Sequence, residues 1–274
     1  MKKIAVLILN RNLPKVTDKL YETILRNNKK LVDIFIIDSG SNKKNISKYT
    51  TWRLASKEIL KKGLRYGRGM NYGLLQLWKE QKFEKYNAFL LITNDTEFPD
   101  SKIINKLQTI LSKHKKVGIL SPCSKSWGEK IYLKKEKTKY FWFIHNSCFL
   151  LRKDFIKDVA NFKNPNYKNF LFDGSNFRGY GTESELIAKA YMNDWSAAIT
   201  TNVWAEENES YLKNYSKFIK TDDYSKNLDL YLKEGLQWMK LKYGFNNKWQ
   251  MQFYVKMYYD QFFEFNPELK KYKI

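Results

Sequence analysis

The side chains of this sequence that could handle an anionic substrate fall at regular places. Asn10 and Asn12 follow the apolar run Ile4 to Leu9. Asp38 closes a second apolar run that begins at Val32, and Asn94, Asp95 and Glu97 follow a third, Asn87 to Thr93. Parallel strands bring their C-terminal ends to one edge of a sheet, and that edge is where open α/β sheets hold ligands. Three polar strand ends in register would make one cleft. Between the second and third lies a glycine-rich stretch, Gly63 to Gly73. Its glycines would let backbone approach a ligand closely, and its Arg65 and Arg68 could pair with phosphates. No Gly-Lys-Ser/Thr ends it and no GxGxxG follows the first strand, which disfavours a phosphate loop and a dinucleotide site. Further on, Glu183 and Glu185 open a helical stretch that runs to Met192. A carboxylate held at a cleft can take a proton from a hydroxyl group.

The elements that must position these residues follow from apolar spacing. Ile4 to Leu9, Val32 to Ile37 and Asn87 to Thr93 are nearly continuous apolar runs, as expected of strands covered on both faces. Lys15 to Arg26 carries Val16, Leu20, Ile24 and Leu25 at helical spacing, so the chain opens β-loop-α-β. The spacing predicts a helix over Ser101 to Lys113 with Ser101 as N-cap. It also predicts a strand over Val117 to Ser121, a basic loop or hairpin over Lys130 to Lys139, one strand over Tyr140 to Leu151 and another over Ala197 to Trp204. From Ser210 onward the chain is rich in Lys and aromatic residues at helical spacing. The expected organisation is one α/β core over residues 1–208 and a C-terminal helical appendage, 209–274, packed on it.

The order of these pieces resembles the family-2 glycosyltransferases of the GT-A fold, a Rossmann-like nucleotide-diphospho-sugar transferase architecture. The resemblance runs through ILNRN, IIDSGSN, GLRYGRGMNYGL, LLITNDTEF, FIHNSCFLLR and FRGYGTESELIAKAY, roughly residues 4 to 205. It implies a nucleotide-sugar pocket containing Asn10, Asn12, Asp38, Arg65, Asn71 and Asn94. It implies a divalent metal, Mn or Mg, on Asp95, and Glu183 as the catalytic base just ahead of Glu185. Two departures stand out. Thr93 occupies the first acidic position of the metal motif, and Trp204-Ala205-Glu206-Glu207 stands where the family often has a metal-binding His. The implied activity is inverting transfer from a nucleotide-sugar donor to a glycan or lipid-linked glycan, in surface polysaccharide assembly.

Bulk properties narrow the rivals. The chain has 274 residues and a formal charge of +22, from 50 Lys and Arg against 28 Asp and Glu. Such a field attracts anions: nucleic acid, an anionic membrane face or a phosphorylated substrate. No nucleic-acid-binding motif is present, so nucleic acid is the disfavoured partner. A sugar nucleotidyltransferase would want Arg and Lys in a glycine-rich loop behind the first strand, and Asn10 to Pro14 lacks one. A degenerate relative that binds without catalysis is the other alternative. Cys123 and Cys148 alone make neither a disulfide framework nor a metal-ligand spacing. The opening MKKIAVLILN is too short for a signal peptide and lacks a cleavage site, and no stretch is long enough to span a bilayer. The expected location is cytoplasmic, with peripheral contact at the inner face of the membrane.

Overall fold

The structure, a computed structural model, describes residues 3–99, 102–126, 130–131, 137–144 and 148–274. The N-cap expected at Ser101, residues 132–136 of the basic segment and residues 145–147 of FIHNSCFLLR lie outside the described residues.

The chain opens with β1 (Ile4–Asn10), α1 (Pro14–Asn28) and β2 (Val32–Ser39). Then come β3 (Thr50–Leu54), α2 (Lys57–Lys62), α3 (Arg65–Lys79), β4 (Ala88–Thr93) and the two-residue β5 (Thr96–Glu97). The middle holds α4 (Ile103–Lys113), β6 (Val117–Cys123), β7 (Thr138–Tyr140), β8 (Cys148–Arg152) and α5 (Lys153–Val159). Next are α6 (Thr182–Met192), β9 (Ser196–Trp204) and β10 (Glu206–Glu207). Then come α7 (Glu209–Ile219), α8 (Tyr224–Tyr243) and α9 (Lys248–Phe265), followed by a 3-10 helix, Pro267–Tyr272.

One mixed sheet carries the order β3-β2-β1-β4-β8-β6-β9-β7. β1 pairs parallel with both β2 and β4, so Asn10 lies beside Asp38, and Leu9 beside Thr93. The three expected strand ends therefore share one edge. The segment expected as a single strand from Tyr140 to Leu151 is two strands. β7 ends at Tyr140 on the far side of β9, while β8 runs antiparallel between β4 and β6.

The glycine-rich stretch departs most from its reading. It is not a ligand loop but most of α3, laid against β1 and β2. A Cβ on Gly69 would strike the Leu9 side chain at 2.5 Å, and one on Gly73 would strike Leu7 and Ile37. Glycine in a helix interior costs about 0.5–1 kcal/mol relative to Ala. Here the close approach of helix and sheet requires it, and buried Met70, Leu74 and Leu77 lie on the same helix. Gly63, with φ +73, ends α2 and makes the turn into α3.

The C-terminal helices join the same core. Val255, Tyr259, Phe262 and Phe263 of α9 are buried with the sheet residues, and Trp238 and Met239 of α8 cluster with Met251. Burying each large apolar side chain contributes about 1.5–3 kcal/mol. Trp249, Phe253 and Met257, four residues apart on α9, stay 62%, 71% and 55% exposed.

Candidate active site

The ends of β1 and β2 form a closed polar network. Buried Asn10 donates from Nδ2 to Asp38 Oδ2 (3.1 Å), and its Oδ1 accepts from the Thr17 hydroxyl (2.9 Å). Asp38 Oδ1 accepts from the Ser41 backbone N–H (3.0 Å) and from Arg53 (3.3 Å). Asn12 sits at φ 58, a left-handed conformation that Asn tolerates better than most residues. Its Oδ1 accepts from the Asn42 N–H, and its Nδ2 donates to the Phe218 carbonyl, both at 2.8 Å. Asn94 donates to Thr17 (2.9 Å). The expected nucleotide-side residues are thus brought together, and they bond chiefly to one another.

Two of the expected residues are spent elsewhere. The Asn71 amide, fully buried, donates to the Tyr167 and Phe172 carbonyls and accepts from the Leu171 and Phe172 N–H groups. It clamps the loop 167–172 to α3. Arg65, at φ 63, donates to the Lys220 carbonyl (2.9 Å) and to Asn227 Oδ1 (3.2 Å). Burial, with Arg178 and Arg11 nearby, pushes its guanidinium down to about 10.

The end of β4 is different. Asp95 is 8% exposed, and its Oδ1 is buried with no hydrogen-bond partner. β10 pairs antiparallel with β5, setting Glu207 opposite Thr96, while the Asn208 N–H donates to the Asp95 carbonyl (3.0 Å). Two acids more than 100 residues apart in sequence are thereby brought within electrostatic reach. Burial raises the Asp95 carboxyl, against the Thr93 hydrogen bond and the Lys220 charge that lower it. Burial and then the Asp95 charge push Glu207 up to about 7, with Glu209 and Glu183 adding to the rise and Lys220 opposing it. Burial and the neighbouring charge both disfavour the ionised pair, and a cation would relieve both. Motif reading had marked the position of Glu207 only as a missing His. An acid directly behind the last core strand was the available signal.

Glu183 and Glu185 lie in the first turn of α6, which starts after Gly181 at φ 82. They take separate paths. Glu185 is 2% exposed and accepts from Lys242 Nζ and the Tyr243 hydroxyl, each at 2.6 Å. It ties α6 to α8. Glu183 is half-buried, and its charge reaches Glu207, Tyr66 and Tyr231.

Beside this edge opens a cavity of about 1310 Å³, lined by Asn12 and Asn42 on one side and by Phe177, Arg178, Phe218 and Trp238 on another. The C-terminal helices wall it, which reading them as an appendage did not anticipate.

No protein-family model and no curated protein matches the sequence. Solved structures do. GalNAc-T7 with UDP, GalNAc and Mn2+ superposes with a TM-score of 0.58 at 13% identity, over 96% of this chain and 56% of that one. S. aureus TarS 1-349 gives 0.51 at 10% identity, over 88% and 72%. The mannosyltransferase PcManGT from Pyrobaculum calidifontis, in complex with GDP-Man and Mn2+, gives 0.50 at 9% identity, over 74% and 56%. The chain has the GT-A glycosyltransferase fold. It spans little more than half the length of two of these three proteins.

Two of these neighbours carry manganese, which makes the donor set here worth testing. Among the described residues no group of three or more His, Cys, Asp or Glu side chains gathers into a metal cage. The orphaned Asp95 Oδ1 beside Glu207 does fit a hard divalent cation of the kind held by one or two carboxylates plus substrate phosphates.

Proposed function

We propose that this chain is a glycosyltransferase that moves a sugar, with inversion, from a nucleoside-diphosphate donor to a hydroxyl of a glycan or lipid-linked glycan. One observation carries the reading. On the ligand edge of a GT-A fold, the orphaned Oδ1 of Asp95 lies within electrostatic reach of Glu207, with the Glu183 charge also in reach.

Asp95 and Glu207 would hold a divalent cation, which supplies positive charge to the leaving diphosphate. The protein's own residues do the rest. Glu183, at the N-terminal turn of α6, takes the proton from the attacking hydroxyl. A single displacement needs one base, so one carboxylate suffices for inversion. Glu185, locked between Lys242 and Tyr243, holds α6 at the angle that presents Glu183. The β1 and β2 ends, rigid through their mutual bonds, shape the donor side.

The setting in this reading is surface polysaccharide synthesis, with the protein peripheral at the inner face of a membrane. The exposed Trp249, Phe253 and Met257 stripe, next to Lys248 and Lys256, matches an anionic lipid surface. Among the described residues no helix is long and apolar enough to cross a membrane. Calorimetric titration of UDP, GDP and dTDP, with and without manganese, tests the reading. At least one should bind, and no heat from any of them in either condition would sink it.

A further inference from the structure

The turn between α7 and α8 enters the ligand edge and is held there by bonds that do not involve the Lys220 ammonium. Asn12 donates to the Phe218 carbonyl (2.8 Å) and Arg65 to the Lys220 carbonyl (2.9 Å). Asn227 Nδ2 donates to the Asp222 carbonyl (2.7 Å) and the Asp223 carbonyl (3.0 Å), and the Ser216 hydroxyl also donates to the Asp222 carbonyl. Arg178 pairs with Asp222 (3.6 Å) and with Glu234. Thr221, β-branched, is kept at φ 105. A residue persists in such a conformation only where its surroundings over-determine it, and such residues gather at ligand clamps.

The product of this clamping is the position of Lys220. Its ammonium is within electrostatic reach of Asp95 and Glu207, and also of Arg65 and Arg178. Among the described residues it makes no ion pair within 4.0 Å. Arg178 and Arg65 have acceptors for their guanidinium groups. Lys220 has no close partner among the described residues, and the turn that carries it borders the cavity through Phe218 and Thr221. Lys220 is half-buried, and a partly desolvated ammonium gains from an anion that completes it.

Resting on the glycosyltransferase reading above, we propose that Lys220 is a resident cation of the donor site. Its ammonium pairs with the diphosphate of a nucleoside-diphosphate donor, so part of donor binding needs no divalent metal. The turn carrying it closes the cleft from the C-terminal side, which makes α7 and α8 part of the site rather than an accessory.

The test is calorimetry with UDP, GDP and dTDP, in EDTA and in manganese, on the full chain and on Lys220→Met, Lys220→Arg and the exposed control Lys213→Met. The wild type should bind one of the three in EDTA. Lys220→Met should weaken that binding about 10- to 100-fold, the loss of one charge-assisted hydrogen bond. Lys220→Arg should recover most of it, and Lys213→Met should match wild type. Binding of the parent nucleoside, which has no phosphate, should be equal in all four, a readout that a merely structural role would not spare. Unchanged or tighter diphosphate binding by Lys220→Met overturns the proposal, as does wild-type binding that appears only with manganese. No binding by the wild type in either condition overturns the glycosyltransferase reading itself, and the proposal with it.

Discussion

The polar residues behind β1 and β2 and those behind β4 sit on one edge of one sheet, yet they are bonded in opposite ways. Asn10, Asp38, Ser41 and Thr17 satisfy one another, so the first region is a finished piece of scaffold. The second has an orphaned Asp95 oxygen, a raised Glu207 and a Lys220 with no close counter-charge. The two acids of α6 also differ, with Glu185 held by two donors and the Glu183 charge reaching Glu207. Side chains that complete each other hold the fold, and those left incomplete are poised for a ligand. Native proteins leave few buried polar groups unpaired, which is why the second region is informative.

The sharpest way to break this comparison is to neutralise each α6 acid. Glu183→Gln should fold, keep donor affinity and lose about 10²- to 10⁴-fold in turnover. Glu185→Gln should keep most of its turnover and lose stability instead. Removing one partner of a buried pair costs about 3–5 kcal/mol. Lys242 retains Asp173 at 2.5 Å and is partly exposed, so a loss of about 1–3 kcal/mol is expected by that principle, discounted for screening. Turnover assays and urea unfolding on both variants decide. A larger turnover loss at Glu185 would reverse the assignment.

Asn71→Ala probes the scaffold side. It strips two N–H groups and two carbonyls of the loop 167–172 of their partner. An expected loss of about 2–4 kcal/mol follows from leaving buried groups unsatisfied. Urea midpoints measure it, and nucleotide titration of the folded fraction should show near wild-type affinity. A selective loss of nucleotide affinity at unchanged stability would move Asn71 back to the ligand.

A smaller effect depends on pH. The folded protein holds the Glu207 proton up to about 7, higher than an ordinary carboxyl. The folded state therefore binds more protons than the unfolded chain between about pH 4.5 and 7. The contribution is fully present below the unfolded value and is lost as pH rises through 7. Ligand-free wild type should lose about 1–3 kcal/mol relative to Glu207→Gln across that window. Parallel pH profiles would mean that burial and Asp95 do not hold the Glu207 proton.

The smallest effect concerns the periphery. A Trp249→Ser, Phe253→Ser double variant should lose sedimentation with anionic vesicles while leaving turnover of a soluble acceptor intact. Equal sedimentation of both proteins would leave the stripe without a lipid role.

Much of the fold was legible because buried parallel strands are nearly continuous apolar runs: Ile4 to Leu9, Val32 to Ile37 and Phe89 to Ile92 carry the sheet centre. β3 escaped notice because Thr50–Leu54 is a half-exposed edge strand with no apolar run. Glycines misled in α3, since spacing cannot tell close approach to a ligand from close approach to a sheet. Asp95 and Glu183 are candidates that their motifs single out. Glu207 and Lys220 are not, because their place depends on the pairing of β5 with β10 and on a clamped turn more than 100 residues from Asp95 in sequence. Asn71 shows the converse, since a well-placed motif residue has its amide fully used by a loop that no pattern in the chain announces.

The most direct test of the central claim is the effect of manganese on nucleotide binding in wild type and in Asp95→Ala. The unsatisfied acid should matter for the ligand and little for the fold. Asp95→Ala should melt within a few degrees of wild type, or slightly higher once a buried charge is gone. Manganese should tighten nucleoside-diphosphate binding in wild type and leave it unchanged in Asp95→Ala. Equal tightening in both proteins would contradict the account.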